Sequence, residues 1–521
     1  MIARAASALV IGHLVFAARL PAQAPPPDLD AFVAKGLTAF ETPGAAVAIV
    51  KDGKVVLAKG YGRRRLGDPA RVDARTLFQI ASNTKAFTTA ALAMLVDEGK
   101  LGWDDPVTTH LPWFQLSDPY VTRELTVRDL LTHRSGLGLG AGDLLWYHSD
   151  YPRDSILRRI RYAPVASSFR SEYAYDNVLY VAAGEVIPAV TGMSWEDFVQ
   201  KRIFAPLGMR EARLTARGVR PGENFADAHS KVEGRLSIIA RDTFEATNAA
   251  GGVVASVSDL ARWMIVQLDS GRVREGTAPG SRLWSVERTR EMWSGQTIMP
   301  VSDLPPALAS YQPNFLLYGL GWDLRDYRGR KLVTHTGGLD GMTSRTLLVP
   351  EARLGVVVVT NGESPLSTAV AWHVLDRYLD APPTDWLALL TEFVRSREAE
   401  GQEAERRAEG SRRKGTRPSL PPAAYAGRYT DRMYGDLSIA DEGGRLVLRF
   451  SHSPALTGDL EHWQHDTFVA RWRQRNIPDA YVTFALKPDG SIETMKMAAV
   501  SPLADFSYDF QDLLFRPVAK E

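Results

Sequence analysis

The sequence contains no cysteine. That excludes disulfides, a thiol nucleophile, a cysteine-ligated metal and a lipid-modified N-terminal cysteine, so stability has to come from packed cores. Net charge is nearly absent as well. The 62 Lys and Arg stand against 61 Asp and Glu, a formal +1, which removes any global electrostatic argument for nucleic acid or an anionic membrane as partner. The N-terminal apolar stretch, Ala5 to Ala18, is shorter than the ~20 residues of a membrane span and is interrupted by His13. No internal repeat is found.

What is present is an ordinary globular composition, 521 residues with 45% hydrophobic and 24% charged, enough for two domains or three. Arg4, the apolar stretch and Ala22-Gln23-Ala24 follow the charged, apolar and small-residue order of a secretory signal. Residues 1–24 are therefore expected to be removed on export, leaving a near-neutral periplasmic or secreted protein with no stable membrane span.

Leu29 to Phe40 has helical spacing, and Ala45–Val50 with Lys54–Lys59 reads as a β-hairpin turned at Asp52-Gly53. Asn83 to Glu98 reads as a helix ending at Gly99. Residues 104–270 look mainly helical, and strands return at Lys331–Thr336, Ser344–Val349 and Leu354–Thr360 before a helix at Leu366–Leu379. Arg395 to Lys414 is charged with no apolar stripe and is followed by Pro418, Pro421 and Pro422, the composition of a solvated linker. From Tyr425 onward short alternating strands predict a small β-barrel or sandwich. The expected domains are a body over residues 28–390, a charged linker over 391–420 and a β domain over 421–521.

Three segments carry chemistry. Ser82-Asn83-Thr84-Lys85 puts an amine one helical turn beyond a hydroxyl, where it can take the hydroxyl proton. The spacing alone decides nothing, because Ser411-Arg412-Arg413-Lys414 repeats it inside the charged linker, where no core desolvates the lysine. At Ser82 an apolar strand and an apolar helix flank the motif. Lowering a lysine pKa by about three units takes ~4 kcal/mol of desolvation or repulsion, which such a setting can supply. Tyr175-Asp176-Asn177 offers a phenol for proton relay and an amide to hold both the lysine and a substrate carbonyl. His335-Thr336-Gly337-Gly338 ends a strand whose glycines permit close backbone approach to a substrate.

In the order Ser-Lys, Tyr-Asn, His-Thr-Gly, the chain resembles the class C β-lactamase, D-aminopeptidase and serine esterase superfamily, the penicillin-recognising hydrolases. The resemblance extends to Thr126–Leu137, Ala250–Val253, Ser258–Ala261 and Tyr318–Trp322. It implies an α/β (α+β) fold: an antiparallel sheet flanked by helices with a mainly helical insertion, and a separate C-terminal barrel. Tyr425–Tyr429 and Leu456–Leu460 make that barrel similar to the lipocalin-like domain appended to some members, with no catalytic role implied.

The resemblance further implies that Ser82 attacks a carbonyl, that Lys85 and Tyr175 handle its proton, and that the backbone N–H groups of Ser82 and Gly338 stabilise the oxyanion, with Asn177, His335, Thr336 and Gly337 in the substrate site. No cofactor is implied. His335 stands where β-lactamases and transpeptidases commonly carry a lysine, which shifts the expectation from penicillins and D-Ala-D-Ala termini toward peptides, amides or esters without a carboxylate. A β-lactamase or D-Ala-D-Ala carboxypeptidase is the first alternative, and a non-catalytic sensor of the same fold is the second. The pocket walls are expected from residues 138–165 and 271–315, while the barrel is left to cap the cleft, to tether subunits of a homo-oligomer or to have no part in the site. No metal is expected: His452, Glu461, His462 and His465 lie on segments whose strand periodicity does not converge their side chains.

Overall fold

The structure, a computed structural model, describes residues 24–519 apart from Phe244 and Pro305. The export signal read over residues 1–24 therefore lies outside the described residues, save Ala24. Among the described residues no single helix is long and apolar enough to cross a membrane.

Helix α1 (Leu29–Ala39) precedes strands β1 (Gly44–Lys51) and β2 (Lys54–Gly62). Asp52 and Gly53 between them have φ of 52° and 75°, the left-handed pair that a two-residue hairpin requires. Six further strands complete one antiparallel sheet: β3 (Thr297–Ile298), β4 (Leu316–Tyr318), β5 (Asp323–Tyr327), β6 (Arg330–Leu339), β7 (Met342–Val349) and β8 (Leu354–Thr360). Their spatial order is β2-β1-β8-β7-β6-β5-β4-β3. The first strand thus pairs with the last, with Ala45 opposite Thr360 and Lys51 opposite Leu354.

Both β1 and β8 are buried along their whole length. The strand period of two divides their side chains between two cores. Val47, Ile49 and Val358 join Leu29, Val33 and Trp372, from α1 and helix α5 (Leu366–Tyr378). Ala46, Ala48 and Val357 face the opposite core with Ala261 and Met264 of helix α4 (Val257–Leu268). Between β2 and β3 lies the mainly helical region, which includes α2 (Lys85–Asp97) and α3 (Asn177–Thr191).

The charged segment read as a linker is instead helical. Helix α6 runs without interruption from Trp386 to Ser411. Its start packs on α1 and α5 through Trp386, Leu387 and Leu390, with Trp386 against Trp372. The remainder is held by its own helix-forming Ala, Glu and Arg residues and by ion pairs one turn apart, such as Arg395–Glu392 at 2.6 Å and Arg406–Glu403 at 2.8 Å. An apolar-periodicity search misses such a helix because most of it presents no buried stripe.

The chain then closes an eight-stranded barrel over Gly427–Pro517, with its first and last strands paired at Tyr429 and Pro517. Tyr429, Leu437, Leu448, Phe468, Trp472, Met495 and Phe515 are buried in one continuous cluster. An eight-stranded barrel is just wide enough for side chains to fill, and this one is packed.

The barrel rests on the helical region and on the turn between β6 and β7. Tyr151 stacks on His452 at 3.9 Å, and His452 also bonds Asp150 at 2.7 Å. Asn476 donates to Asp340 at 3.0 Å. His452 is thus spent on domain packing, Glu461 pairs with Arg471 at 2.9 Å, and His462 bonds the carbonyl of His465 at 2.9 Å. Among the described residues no His, Asp and Glu group has the arrangement of a metal site.

Candidate active site

The short pairing of Phe78-Gln79 with Val254-Ala255 delivers the chain into a 3₁₀ turn, Ala81–Thr84, which leads into α2. Ser82 therefore sits in the tighter turn ahead of the α-helix rather than in its first turn, and Lys85 is the first α-helical residue. Ala81 has φ of 50°, a left-handed conformation costly for a residue with a Cβ. Tertiary bonds hold it there. Ser344 on β7 donates to the carbonyl of Ile80 and accepts from the Asn83 amide, both at 2.7 Å. The backbone N–H of Val253 donates to the Thr84 hydroxyl at 3.0 Å.

Lys85 is fully buried. Its Nζ lies 3.0 Å from Ser82 Oγ, 2.7 Å from Asn177 Oδ1 and 3.2 Å from the carbonyl of Ala250. Two of these neighbours can only accept. A neutral amine has two N–H bonds for the two carbonyl oxygens and one lone pair, which is left directed at the Ser82 hydroxyl. Desolvation pulls the lysine down to about 7, against the opposing pull of Asp143 and Asp176.

The loop bearing Tyr175 is shaped by the Thr126–Leu137 motif. Thr126 and Asp129 form a capping box on the short helix Val127–Leu130. The fully buried Asp129 accepts from Arg134 at 2.8 Å and Arg170 at 2.6 Å, and these bonds hold its carboxyl below the usual range against its burial. His133 Nδ1 accepts the backbone N–H of Asp176 at 3.0 Å, and Ala174 N donates to the His133 carbonyl at 2.9 Å. Asp176 then caps α3 through Leu179 N at 3.2 Å, so Asn177 opens that helix and turns its amide onto Lys85. The Tyr175 ring lies 4.6 Å from Lys85 Nζ. Burial raises its phenol well above 10, with a hydrogen bond from Ser82 opposing, so Tyr175 stays protonated.

On β6 the strand period separates the His335–Gly338 residues into two pairs. Thr336 and Gly338 face the pocket and are exposed, while His335 and Gly337 are buried. The two glycines serve different ends. A Cβ at Gly337 would stand 2.2 Å from the Ile80 carbonyl oxygen, so this glycine lets β6 lie against the turn that carries Ser82. A Cβ at Gly338 would meet nothing within 4 Å, leaving its backbone open to a substrate. His335 Nδ1 donates to the Thr336 carbonyl at 2.6 Å, so Nε2 accepts from the Tyr318 hydroxyl at 3.0 Å. Burial and the nearby Lys85 lower His335 to about 3. It is a neutral, fully bonded wall residue.

Of the eight site residues read in the sequence, Ser82, Tyr175, Asn177, His335, Thr336 and Gly338 line one cavity, while Lys85 is buried behind Ser82 and Gly337 packs on the turn that carries it. The cavity measures about 430 Å³. Trp146, Tyr173, Met299, Leu339 and Phe506 give it apolar walls, Asp323 and Asp505 border it, and among the described residues its lining contains no arginine or lysine.

The β-lactamase family model matches residues 29–380. The chain belongs to that family of serine hydrolases. A second model, described as a domain of unknown function (DUF3471), matches residues 411–517. Among curated relatives, Unguisins hydrolase ungD of Aspergillus violaceofuscus is 28% identical over 89% of this chain and 86% of its own length. Protein flp of Staphylococcus aureus is 26% identical over 67% of this chain and 65% of its own. Among solved structures, the octameric penicillin-binding protein homologue from Pyrococcus abyssi superposes with a TM-score of 0.60 at 24% identity, covering 91% of this chain and 98% of that one. The structural likeness establishes the fold.

In this β-lactamase-family hydrolase several site residues carried no readable signal in the sequence. Ser344 and Asn83 lock the turn of Ser82. Asp143, fully buried, accepts from the Asn177 amide at 2.9 Å. Asp505, Phe506 and Ser507 of the barrel domain wall the pocket, to which the expected loops 138–165 and 271–315 contribute Trp146 and Met299. Asn83 fills a free position of the Ser-Asn-Thr-Lys segment and the others belong to no spacing motif, and the barrel segment lies more than 420 residues from Ser82 in the chain.

Proposed function

We propose that the protein hydrolyses amides or esters through an acyl-enzyme, in the manner of a D-aminopeptidase or esterase, on substrates that present no carboxylate beside the scissile bond. The observation that carries this reading is the pocket lining. Among its described residues the lining holds Asp505 and an Asp323 that burial raises to about 7, it presents no arginine or lysine, and the position where a substrate carboxylate would be sought holds a buried neutral histidine. A substrate carboxylate entering here would find no arginine or lysine side chain on the wall to pair with, whereas a neutral amide or an amine suits the site.

In this reading the neutral amine of Lys85 takes the Ser82 proton as Oγ attacks the carbonyl carbon. The backbone N–H groups of Ser82 and Gly338 receive the oxyanion. Tyr175 gives its proton to the departing amine or alkoxide while the proton taken by Lys85 is returned to the phenol, so both groups end the acylation as they began it. Water then repeats the sequence on the acyl-enzyme and releases the acid. The kinship with a protein named as a hydrolase supports hydrolysis as the reaction type.

The test is a panel of D- and L-aminoacyl amides, short acyl esters, nitrocefin and a D-Ala-D-Ala peptide. Turnover concentrated in the amides and esters is expected. Efficient nitrocefin turnover with neither amide nor ester activity would overturn the reading in favour of a β-lactamase. Export is proposed with it, and is tested by comparing the size and compartment of the protein expressed with and without residues 1–24.

A further inference from the structure

The segment Asp505–Asp509 belongs to the barrel domain yet reaches the centre of the hydrolase site. Its Ser507 hydroxyl donates to Asp143 Oδ2 at 2.8 Å. The same oxygen accepts the Asn177 amide N–H, at 2.9 Å, and Trp146 Nε1 donates to Asp143 Oδ1 at 2.8 Å. Asp143 is fully buried, and Ser507 is 7% exposed.

The receiving loop is built for this segment. Gly142 N and Leu144 N donate to the buried Asp509 carboxylate at 2.8 and 3.1 Å, and Tyr434 also donates to it. Gly140 has φ of 71°, and a Cβ there would stand 2.6 Å from the Phe506 carbonyl oxygen, so any other residue would push the barrel segment away. The Phe506 ring meets the Tyr175 ring edge-on at 5.7 Å.

Resting on the acyl-enzyme reading above, we propose that Ser507 is a positioning residue for the reaction, acting through Asp143 and Asn177 on the orientation of the Lys85 amine. An asparagine amide has two faces, an oxygen that accepts and an NH₂ that donates. Lys85 can serve as base only if Asn177 shows it the oxygen. Were the amide turned over, its NH₂ would point at the amine and compete for the lone pair that Ser82 needs. Asp143 decides the matter by demanding a donor on its side. A carboxylate keeps that demand only while it remains an acceptor, and Ser507 supplies one of the three donors that hold it so. The barrel thereby contributes to the base as well as to the wall.

The groups facing this chain are Lys85, Asp176 and Asp509 around Asp143, and Tyr175, Tyr180, His133, His335, Asp143 and Asp176 around Lys85. Burial raises Asp143 to about 7, with the hydrogen bonds from Asn177, Trp146 and Ser507 opposing. Removing the Ser507 donor raises it further. The competent state has a neutral lysine and an ionised aspartate, so the coupled pair must shed its last proton at higher pH, and the acid limb of activity moves upward.

The experiment compares wild type, Ser507→Ala, Ser507→Thr and Asp143→Asn in the full chain, following fluorophosphonate labelling and p-nitrophenyl ester turnover across pH, with thermal melts to check folding. Ser507→Ala is expected to lower the labelling rate and kcat about tenfold with KM changed less than about threefold, and to shift the acid limb to higher pH. Ser507→Thr, which restores the hydroxyl, should recover most of the rate. Asp143→Asn should fall at least as far as Ser507→Ala, and it keeps the test decisive should the alanine variant fold poorly. Unchanged rate and pH profile in Ser507→Ala or Asp143→Asn, or equal damage in the alanine and threonine variants, would overturn the proposal while leaving the acyl-enzyme reading intact. Wild type that labels nowhere, or away from Ser82, would overturn both.

Discussion

Two places in this chain carry a serine three residues before a lysine, and only one has the surroundings of a reactive pair. At Ser411 the hydroxyl donates to the Ala408 carbonyl at the end of α6, and the Lys414 side chain is 77% exposed with Glu409 at 3.8 Å. At Ser82 the lysine is 0% exposed and its nitrogen meets one hydroxyl and two carbonyl oxygens. The difference lies in solvation. Water at Lys414 solvates an ammonium fully, whereas the core around Lys85 withdraws that hydration and brings the amine to about 7.

The largest effect should come from the hydroxyl itself. Ser82→Ala is expected to remove turnover by ~10⁴-fold or more and to abolish fluorophosphonate labelling, while Ser411→Ala leaves both untouched. Labelling that survives Ser82→Ala would break the comparison.

Next is the amine. Lys85→Arg keeps a cation that does not deprotonate in a protein, and should cost ~10³-fold in kcat. Lys414→Arg should be silent, and steady-state kinetics on the two variants reads the contrast directly.

Smaller in scale is the support of the site. Asp129→Ala leaves Arg134 and Arg170 without their shared buried carboxylate and should cost about 3 kcal/mol of stability, measured by denaturant unfolding. Gly337→Ala, which forces a Cβ onto the Ile80 carbonyl oxygen, should lose about 2 kcal/mol together with most activity, whereas Gly338→Ala should leave the melting temperature nearly unmoved.

The gentlest test is pH. Protonation silences the base, so kcat/KM should rise with pH through about 7, the value to which burial brings Lys85. A profile flat from pH 5 to 8 would show that the amine is not the group being titrated.

The elements that could be read along the chain are those whose pattern is local. The Asp52-Gly53 hairpin, the apolar run of β8 and the alternating strands of the barrel each state their geometry within a few residues. Helix α6 could not be read that way, because its exposed face is held by ion pairs and propensity rather than by an apolar stripe. The Thr126–Leu137 motif was recognisable as a motif, yet its work is to hold residues 174–176 through His133 and to brace Arg134 and Arg170 on Asp129, contacts that span up to 43 positions. Tyr175 was legible as a phenol for proton relay, but not the burial that raises its proton affinity.

Returning to the paired motifs, the sequence by itself determined which atoms are available: a serine, an amine one turn away, a phenol, an amide and two glycines, in family order. The flanking composition already favoured Ser82 over Ser411; only the tertiary structure decided how completely Lys85 is desolvated, which way the Asn177 amide turns, and that a barrel segment far along the chain walls the pocket. Residue type sets the chemistry a group can perform. Burial and the hydrogen-bond partners brought together by folding set the protonation state and direction in which it is held.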